Sequence, residues 1–382
     1  MPEPSETLPV ASIRNAERMR YIDTLRAVAA LLVVWLHAAG TFNRVGSEAT
    51  QDHSWFTTWP SRIDVGHIGV VVFFLISGFV IPFSIRADRP APALSFLVKR
   101  FFRIFPAYWL SVPLAAATGF WIWGTRFDTH ELLVNLTLLQ YAFGVRAAEG
   151  VYWTLPVELV FYLLCVLLLW SRSLFVTRRI GLLATLLAVV FAAIVPTYAH
   201  GRALVSETAL FWSLNLSVMF WGMLYRSRFD AAPIDRDRFG GIVLWGLLVF
   251  YVAILPLIAL ASTAYMRNTL VTYIIGFAIF LFGTRVRIET RLTDWLGRIS
   301  YSIYLFHVIV FLAIEWWLLH QPAGSWWRTR PFGVYTTVGV LVVLAVASIV
   351  HVAVERPGIH LGHRLAARVS APRRLQRVDA RA

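Results

Sequence analysis

His37 lies eleven residues after Arg26 in a stretch that is otherwise apolar, Ala27 to Leu36. At 1.5 Å of rise per residue, a helix carries it roughly 16 Å beyond the arginine. With a hydrocarbon core of about 30 Å, Arg26 at one edge leaves His37 near mid-depth. Away from water an imidazole favours its neutral form, and a neutral imidazole can accept a proton as a general base does. The other reading is a histidine hydrogen-bonded to a neighbouring helix as structural glue. Position alone leaves both open.

Glu158 follows Trp153-Thr154-Leu155-Pro156 at the outer start of another apolar run, where the proline fits a first helical turn. Its carboxylate could orient a histidine or help admit a hydroxyl substrate; it could equally be an N-terminal charge favoured by the helix dipole. Arg100 and Arg103, in Lys99-Arg100-Phe101-Phe102-Arg103, share one helical face. Paired guanidinium forks suit a phosphate-bearing ligand, although arginines at an inner-leaflet helix end also serve topology. Tyr301, Ser302, Tyr304 and His307 interrupt the run from Ile299 and either line a cavity or bridge helices. With Trp153, the two tyrosines and His307 are the candidate substrate-cavity residues. Glu355-Arg356-Pro357 reads as an ion-paired stop to the last apolar run.

No Cys and His set has zinc-ligand spacing, so no metal is expected. Nor is there a phosphate-cradling P-loop or a Gly-x-Ser-x-Gly elbow, and Ser77-Gly78 has no evident partner base. Without a protein nucleophile, a base acting on the substrate's own hydroxyl is the economical chemistry. No bound cofactor is expected.

The elements that must position these groups are membrane spans. Of the 382 residues 58% are hydrophobic and 15% charged, against roughly 45–50% and 25% in soluble domains. Apolar runs of spanning length fall near 21–41, 66–85, 105–124, 153–171, 180–198, 207–225, 239–260, 268–284, 299–319 and 333–354. The stretch 131–145 is short. If it does not cross and the N-terminus is inside, 27 of the 35 Lys and Arg residues fall on the inner side. A crossing there would reverse every later loop and destroy that bias. The expected fold is therefore all-α and polytopic, with about ten spans, both termini cytoplasmic, and 131–145 re-entrant or interfacial. Trp55, Trp59, Trp316, Trp317, Trp326 and Trp327 suit an outer aromatic belt. The division is a tail over 1–20, a membrane domain over 21–357 and a basic, lipid-facing tail over 358–382.

The +14 net charge sits in short loops between apolar runs, which favours topology over nucleic-acid binding. The single cysteine, Cys165, leaves the redox compartment unread. The N-terminal arginines, apolar run and Ala38-Ala39-Gly40 have the form of a signal peptide, but the expectation is an uncleaved first span.

Six fragments occur together in order: Tyr21-Ile22-Asp23-Thr24-Leu25-Arg26 with His37; Gly69 to Phe79; Arg100-x-x-Arg103 with Ile104 and Pro106; Trp153-Thr154-Leu155 with Glu158; Phe161-Tyr162; and Ser300 to His307. Over residues 20–357 the chain resembles the integral-membrane acyltransferase 3 family, bacterial O-acyltransferases acting on cell-surface polysaccharides and some secondary metabolites. The resemblance implies transfer of an acyl group, usually acetyl, from cytoplasmic acyl-CoA as co-substrate to a hydroxyl of a sugar or glycolipid acceptor at a cell membrane. It implies His37 as catalytic base and Glu158 in support of catalysis or of the acceptor. Arg26, Arg100 and Arg103 would face the coenzyme, so that arginines, imidazole and carboxylate follow one another across the bilayer. Some members carry an esterase-like domain after the spans; this chain is expected to be the stand-alone form. The residue orienting His37 stays open, with Glu48 and Asp64 as candidates. The alternative is a proton-coupled secondary transporter or flippase with His37 as relay, but the inverted repeats usual in such folds are not visible. A non-catalytic membrane sensor would leave the mid-depth histidine without a task.

Overall fold

The computed structural model describes residues 19–45, 56–58, 63–199, 206–229, 238–260 and 264–371. Glu48, Trp55, Trp59, Arg62, Arg202, Arg236, the signal-like residues before Met19 and the tail arginines from Arg373 lie outside them. All regular structure among the described residues is helical: α1 Arg20–Val45, α2 Val65–Val80, α3 Pro92–Trp123, α4 Thr129–Leu136, α5 Thr154–Trp170, α6 Thr177–Ala199, α7 Glu207–Phe229, α8 Arg238–Val249, α9 Leu255–Leu260, α10 Ala264–Val286, α11 Arg291–Leu319, α12 Phe332–Val350 and α13 Arg356–Val369.

With α8 continuing into α9 and α12 into α13, long helices meet all ten expected spans, and eight are long and apolar enough to cross a membrane by themselves. The other two are α3 and α7. Their lower apolar content has a physical reason, because they turn polar groups inward: Ser111 on α3 and Asn215 and Ser217 on α7 are fully buried. Helix α3 also starts at Pro92, thirteen residues before the expected span, since Lys99 to Arg103 continue it outside the apolar run.

Each of the two unions contains a π-helical turn, Phe250–Ile254 and His351–Glu355, and each turn ends two residues before a proline, Pro256 or Pro357. Proline removes an N–H and its ring crowds the carbonyl four residues back. Widening one turn relieves that crowding without ending the helix.

The stretch predicted not to cross contains α4, whose Asp128–Glu131 capping box fixes its start. It runs back along α3: Tyr108 donates to the Asn135 carbonyl at 2.7 Å and Trp109 Nε1 to the Leu136 carbonyl at 3.0 Å. Trp109 is fourteen residues short of the end of α3, so the segment returns about 20 Å along that helix. Fully buried Asn135 pins it, donating to the carbonyls of Glu131 and Arg146 and accepting from Ala148 N.

Small residues let the helices that carry the site approach closely. A Cβ on Gly78 of α2 would collide with the Met219 carbonyl of α7, and one on Gly297 of α11 with the Asp23 carbonyl of α1. Helix α1 packs along α11, and the Arg20–Asp294 ion pair ties their N-terminal ends.

Candidate active site

Helices α1 and α11 bring His37 against His307. The rings meet edge to face with centroids 4.8 Å apart, and His307 Nε2 is 3.2 Å from His37 Nδ1. Neighbouring carbonyls, which can only accept, assign the tautomers. His307 Nδ1 faces the carbonyls of Ile303 at 3.0 Å and Tyr304 at 2.9 Å, so it carries the proton and leaves Nε2 as acceptor. His37 Nδ1 faces the Val33 carbonyl at 2.9 Å and His307 Nε2, so it too is a donor. The lone pair of His37 is therefore on Nε2. His307 is fully buried, whereas His37 is half-buried. Asp64, proposed as an orienting group, instead caps α2, accepting from His67 N at 2.8 Å, and reaches His37 only through its charge.

A cavity of about 110 Å³ is lined by Arg26, Arg100, Arg103, Glu158, Tyr162, Tyr301 and Tyr304, with Phe73 and Thr154 also on its wall. Tyr162 donates to Glu158, and the Arg100 guanidinium lies over the Tyr162 ring, 5.5 Å from its centroid. Arg103 lies over the Tyr301 ring at 5.8 Å, and Tyr301 donates to the Ile104 carbonyl at 2.8 Å. Arginines and carboxylate thus share one chamber, which corrects the expected order of arginines, imidazole and then carboxylate. The re-entrant segment supplies the reason. Tyr152, just before α5, donates to Ser111 at 2.7 Å in the middle of α3. Helix α5 therefore begins deep in the molecule, and Glu158 with it.

His37 is not on the wall of this chamber. Tyr304 closes that side, donating to the Val151 carbonyl at 2.6 Å, with the Thr154 hydroxyl 2.8 Å from its own and the Phe73 ring edge-on at 6.0 Å. The histidine pair lies one helical turn further along α11. Trp153 is also off the wall; it stacks on His67, the rings 5.8 Å apart and nearly parallel.

Arg26, Arg100 and Arg103 also line a larger vestibule of about 840 Å³, so they stand at the junction of the two spaces. Arg103 is held there by buried Glu355, with Nη1 2.5 Å from Oε1. The other carboxylate oxygen accepts from Ser302 at 2.7 Å and faces His351 Nδ1 at 3.0 Å.

The family model described as an acyltransferase domain, Acyl_transf_3, matches residues 19–351, which contain this whole arrangement except Glu355. The chain belongs to the acyltransferase 3 family. "Nodulation protein 10" of Rhizobium leguminosarum bv. viciae is 28% identical, over 91% of this chain and 95% of that protein. "Putative membrane-bound transacylase BcsY" of Komagataeibacter xylinus is 27% identical, over 91% of this chain and 84% of that protein. No solved structure matches.

This multi-pass membrane acyltransferase thus gathers Arg26, Arg100, Arg103, Glu158, Tyr301 and Tyr304 in one chamber and pairs His37 with His307 beyond it. Glu355 is ion-paired as expected, but with Arg103 of α3, and the helix continues past it, so the reading as a stop missed its part in fixing that arginine. The available signal was a His and a Glu four residues apart, ahead of a proline, in an otherwise apolar run.

Proposed function

We propose that the protein transfers an acyl group, acetyl by preference, from acyl-CoA on the cytoplasmic side to a hydroxyl of a sugar-containing acceptor. His37 Nε2 takes the hydroxyl proton as the oxygen attacks the thioester carbonyl. The carbon–sulfur bond breaks, the imidazolium returns the proton to the leaving thiolate, and an ester and free CoA result. Arg26, Arg100 and Arg103 attract and orient the donor. Glu158, held by Tyr162, positions the reacting end from the chamber side. The observation that carries the reading is the tautomer chain from the Ile303 and Tyr304 carbonyls through His307, which leaves His37 with its proton on Nδ1 and its base nitrogen free. For a thioester in the chamber to reach that nitrogen, the Tyr304 side chain must swing aside.

A sugar acceptor is what the family resemblance implies, and acyl transfer is supported by the family and by the name of one relative, a putative membrane-bound transacylase. A cell membrane with both termini on the cytoplasmic side is supported by the distribution of arginines. The test uses protein in nanodiscs with radiolabelled acetyl-CoA and the glycans of a strain deleted for it. Label in ester linkage to sugar, matched by an acetyl mass missing from the deletion strain's surface glycans, is the expected result. Label retained as acetyl-CoA, with unaltered glycans, would refute it.

A further inference from the structure

The face of α1 that carries His37 runs on to the end of the bundle opposite the chamber arginines. His37, Gly40 and Arg44 are spaced by three and then four residues, so they share that face. At its end the Arg44 guanidinium lies over the Trp123 ring of α3, 5.7 Å from its centroid. Arg44 Nη2 also stands 3.4 Å from Glu315 Oε2 of α11. One turn deeper than the Arg44–Trp123 contact each helix has a glycine, Gly40 on α1 and Gly119 on α3. Glycine inside a helix destabilises it relative to alanine, and membrane helices gain close packing in return. Gly69, Gly78 and Gly297 follow that rule, each pressed against the backbone of a neighbouring helix. A Cβ on Gly40 or Gly119 would meet nothing within 4 Å. These two glycines hold a slot open between α1 and α3, leading toward half-buried His37. The seam between α1 and α11 is closed, because Phe42 and Phe311 fill it edge to face, 5.1 Å apart.

The mouth of the slot has the chemistry of a sugar site. The Glu315 side chain is 5% exposed, a carboxylate buried in an apolar stretch of a membrane helix, and so costly a placement marks function. Arg44 meets one of its oxygens, which leaves acceptor capacity for hydroxyl groups. Trp123, 60% exposed, presents a flat apolar face beside them. A carboxylate next to an aromatic plane matches a sugar ring, which is polar at its edge and apolar on its face. Arg44 lies seven residues beyond His37 and Glu315 eight beyond His307, a separation of about 10–12 Å at 1.5 Å per residue. A single sugar ring does not span that distance.

We infer that the slot between α1 and α3 admits the acceptor, and that Glu315, Arg44 and Trp123 bind a sugar residue linked to the one that His37 activates. The enzyme then selects a chain of sugars over a single sugar. The inference rests on the acyl-transfer reading above.

The test uses protein in nanodiscs, acetyl-CoA, and surface glycan of the deletion strain supplied either as oligosaccharides or hydrolysed to monosaccharides. The unmodified enzyme should show a KM at least about tenfold lower for the oligosaccharides, the weight of one hydrogen bond to a charged group. E315Q should raise the oligosaccharide KM toward the monosaccharide value and leave the monosaccharide KM and the acetyl-CoA dissociation constant unchanged. G40L and G119L put side chains into open space, so they should fold; each should lower transfer at least about tenfold with acetyl-CoA binding unchanged. G246L, at an equally open glycine on α8, should transfer at the parental rate. Equal KM values for the two acceptor forms in the unmodified enzyme would overturn the sugar subsite, a comparison that needs no variant to fold. So would a parental oligosaccharide KM in E315Q. Parental transfer by G40L and G119L would overturn the slot as the acceptor's route. Absence of transfer by the unmodified enzyme to either form would instead refute the acyl-transfer reading, and the subsite with it.

Discussion

Glu355, in the π turn between α12 and α13, holds Arg103 of α3 from 252 residues away, its carboxylate fully buried. A charge pair removed from water loses more when one partner goes than when both do. Glu355→Ala should therefore cost about 3–5 kcal/mol, read as a fall in thermal midpoint in detergent. Replacing both residues with Met should restore most of that stability while the donor KM stays raised. A Glu355→Ala protein as stable as the parent would remove the pair from the account.

In the proposed mechanism His307 acts through His37, so its variants should move kcat and not the donor KM. His307→Ala should lower kcat by about tenfold or more, less than loss of the base itself. His307→Gln, whose amide oxygen can accept from His37 Nδ1, should recover part of the loss. A His307→Ala change confined to KM would contradict the tautomer assignment.

Tyr304 separates chamber from histidine pair. Tyr304→Trp, which enlarges the partition, should lower kcat at least about tenfold while leaving acetyl-CoA binding by calorimetry unchanged. Unchanged turnover would mean that the thioester does not pass this residue.

The re-entrant segment carries a pH signature outside the spans. Burial pushes the Glu149 carboxyl up to about 7 from an ordinary 4.5, against the lowering effect of the Gly150 N–H that it accepts at 2.7 Å. Its folded value lies above its unfolded one, so its contribution is fully present below about pH 4.5 and is lost as pH rises through 7. The thermal midpoint should fall between pH 5 and 8, and Glu149→Gln should flatten that fall. An identical pH slope in the variant would contradict the burial of this carboxyl.

The spans were legible because the bilayer imposes length and apolarity directly, and arginine distribution resolved the 131–145 stretch that hydropathy left ambiguous. The shared face of Arg100 and Arg103 was legible from helical spacing, and His37 stood out as a polar residue in an apolar run. Its partner His307 was visible only as one of several polar interruptions, because a contact across 270 residues leaves no periodic trace. Glu158 was misplaced in depth for a related reason. Its helix begins where the re-entrant segment delivers it, at Ser111 of α3, and no local pattern records that docking. Glu355 was read as an ion-paired helix end, but a partner 252 residues away in sequence leaves no local trace.

The most direct measurement is acyl transfer by a His37→Ala protein that inserts and folds like the parent, with transfer of label from acetyl-CoA to acceptor followed over time. The account predicts a loss of about 10²–10⁴-fold in kcat with the acetyl-CoA dissociation constant nearly unchanged. Transfer at the parental rate would contradict it.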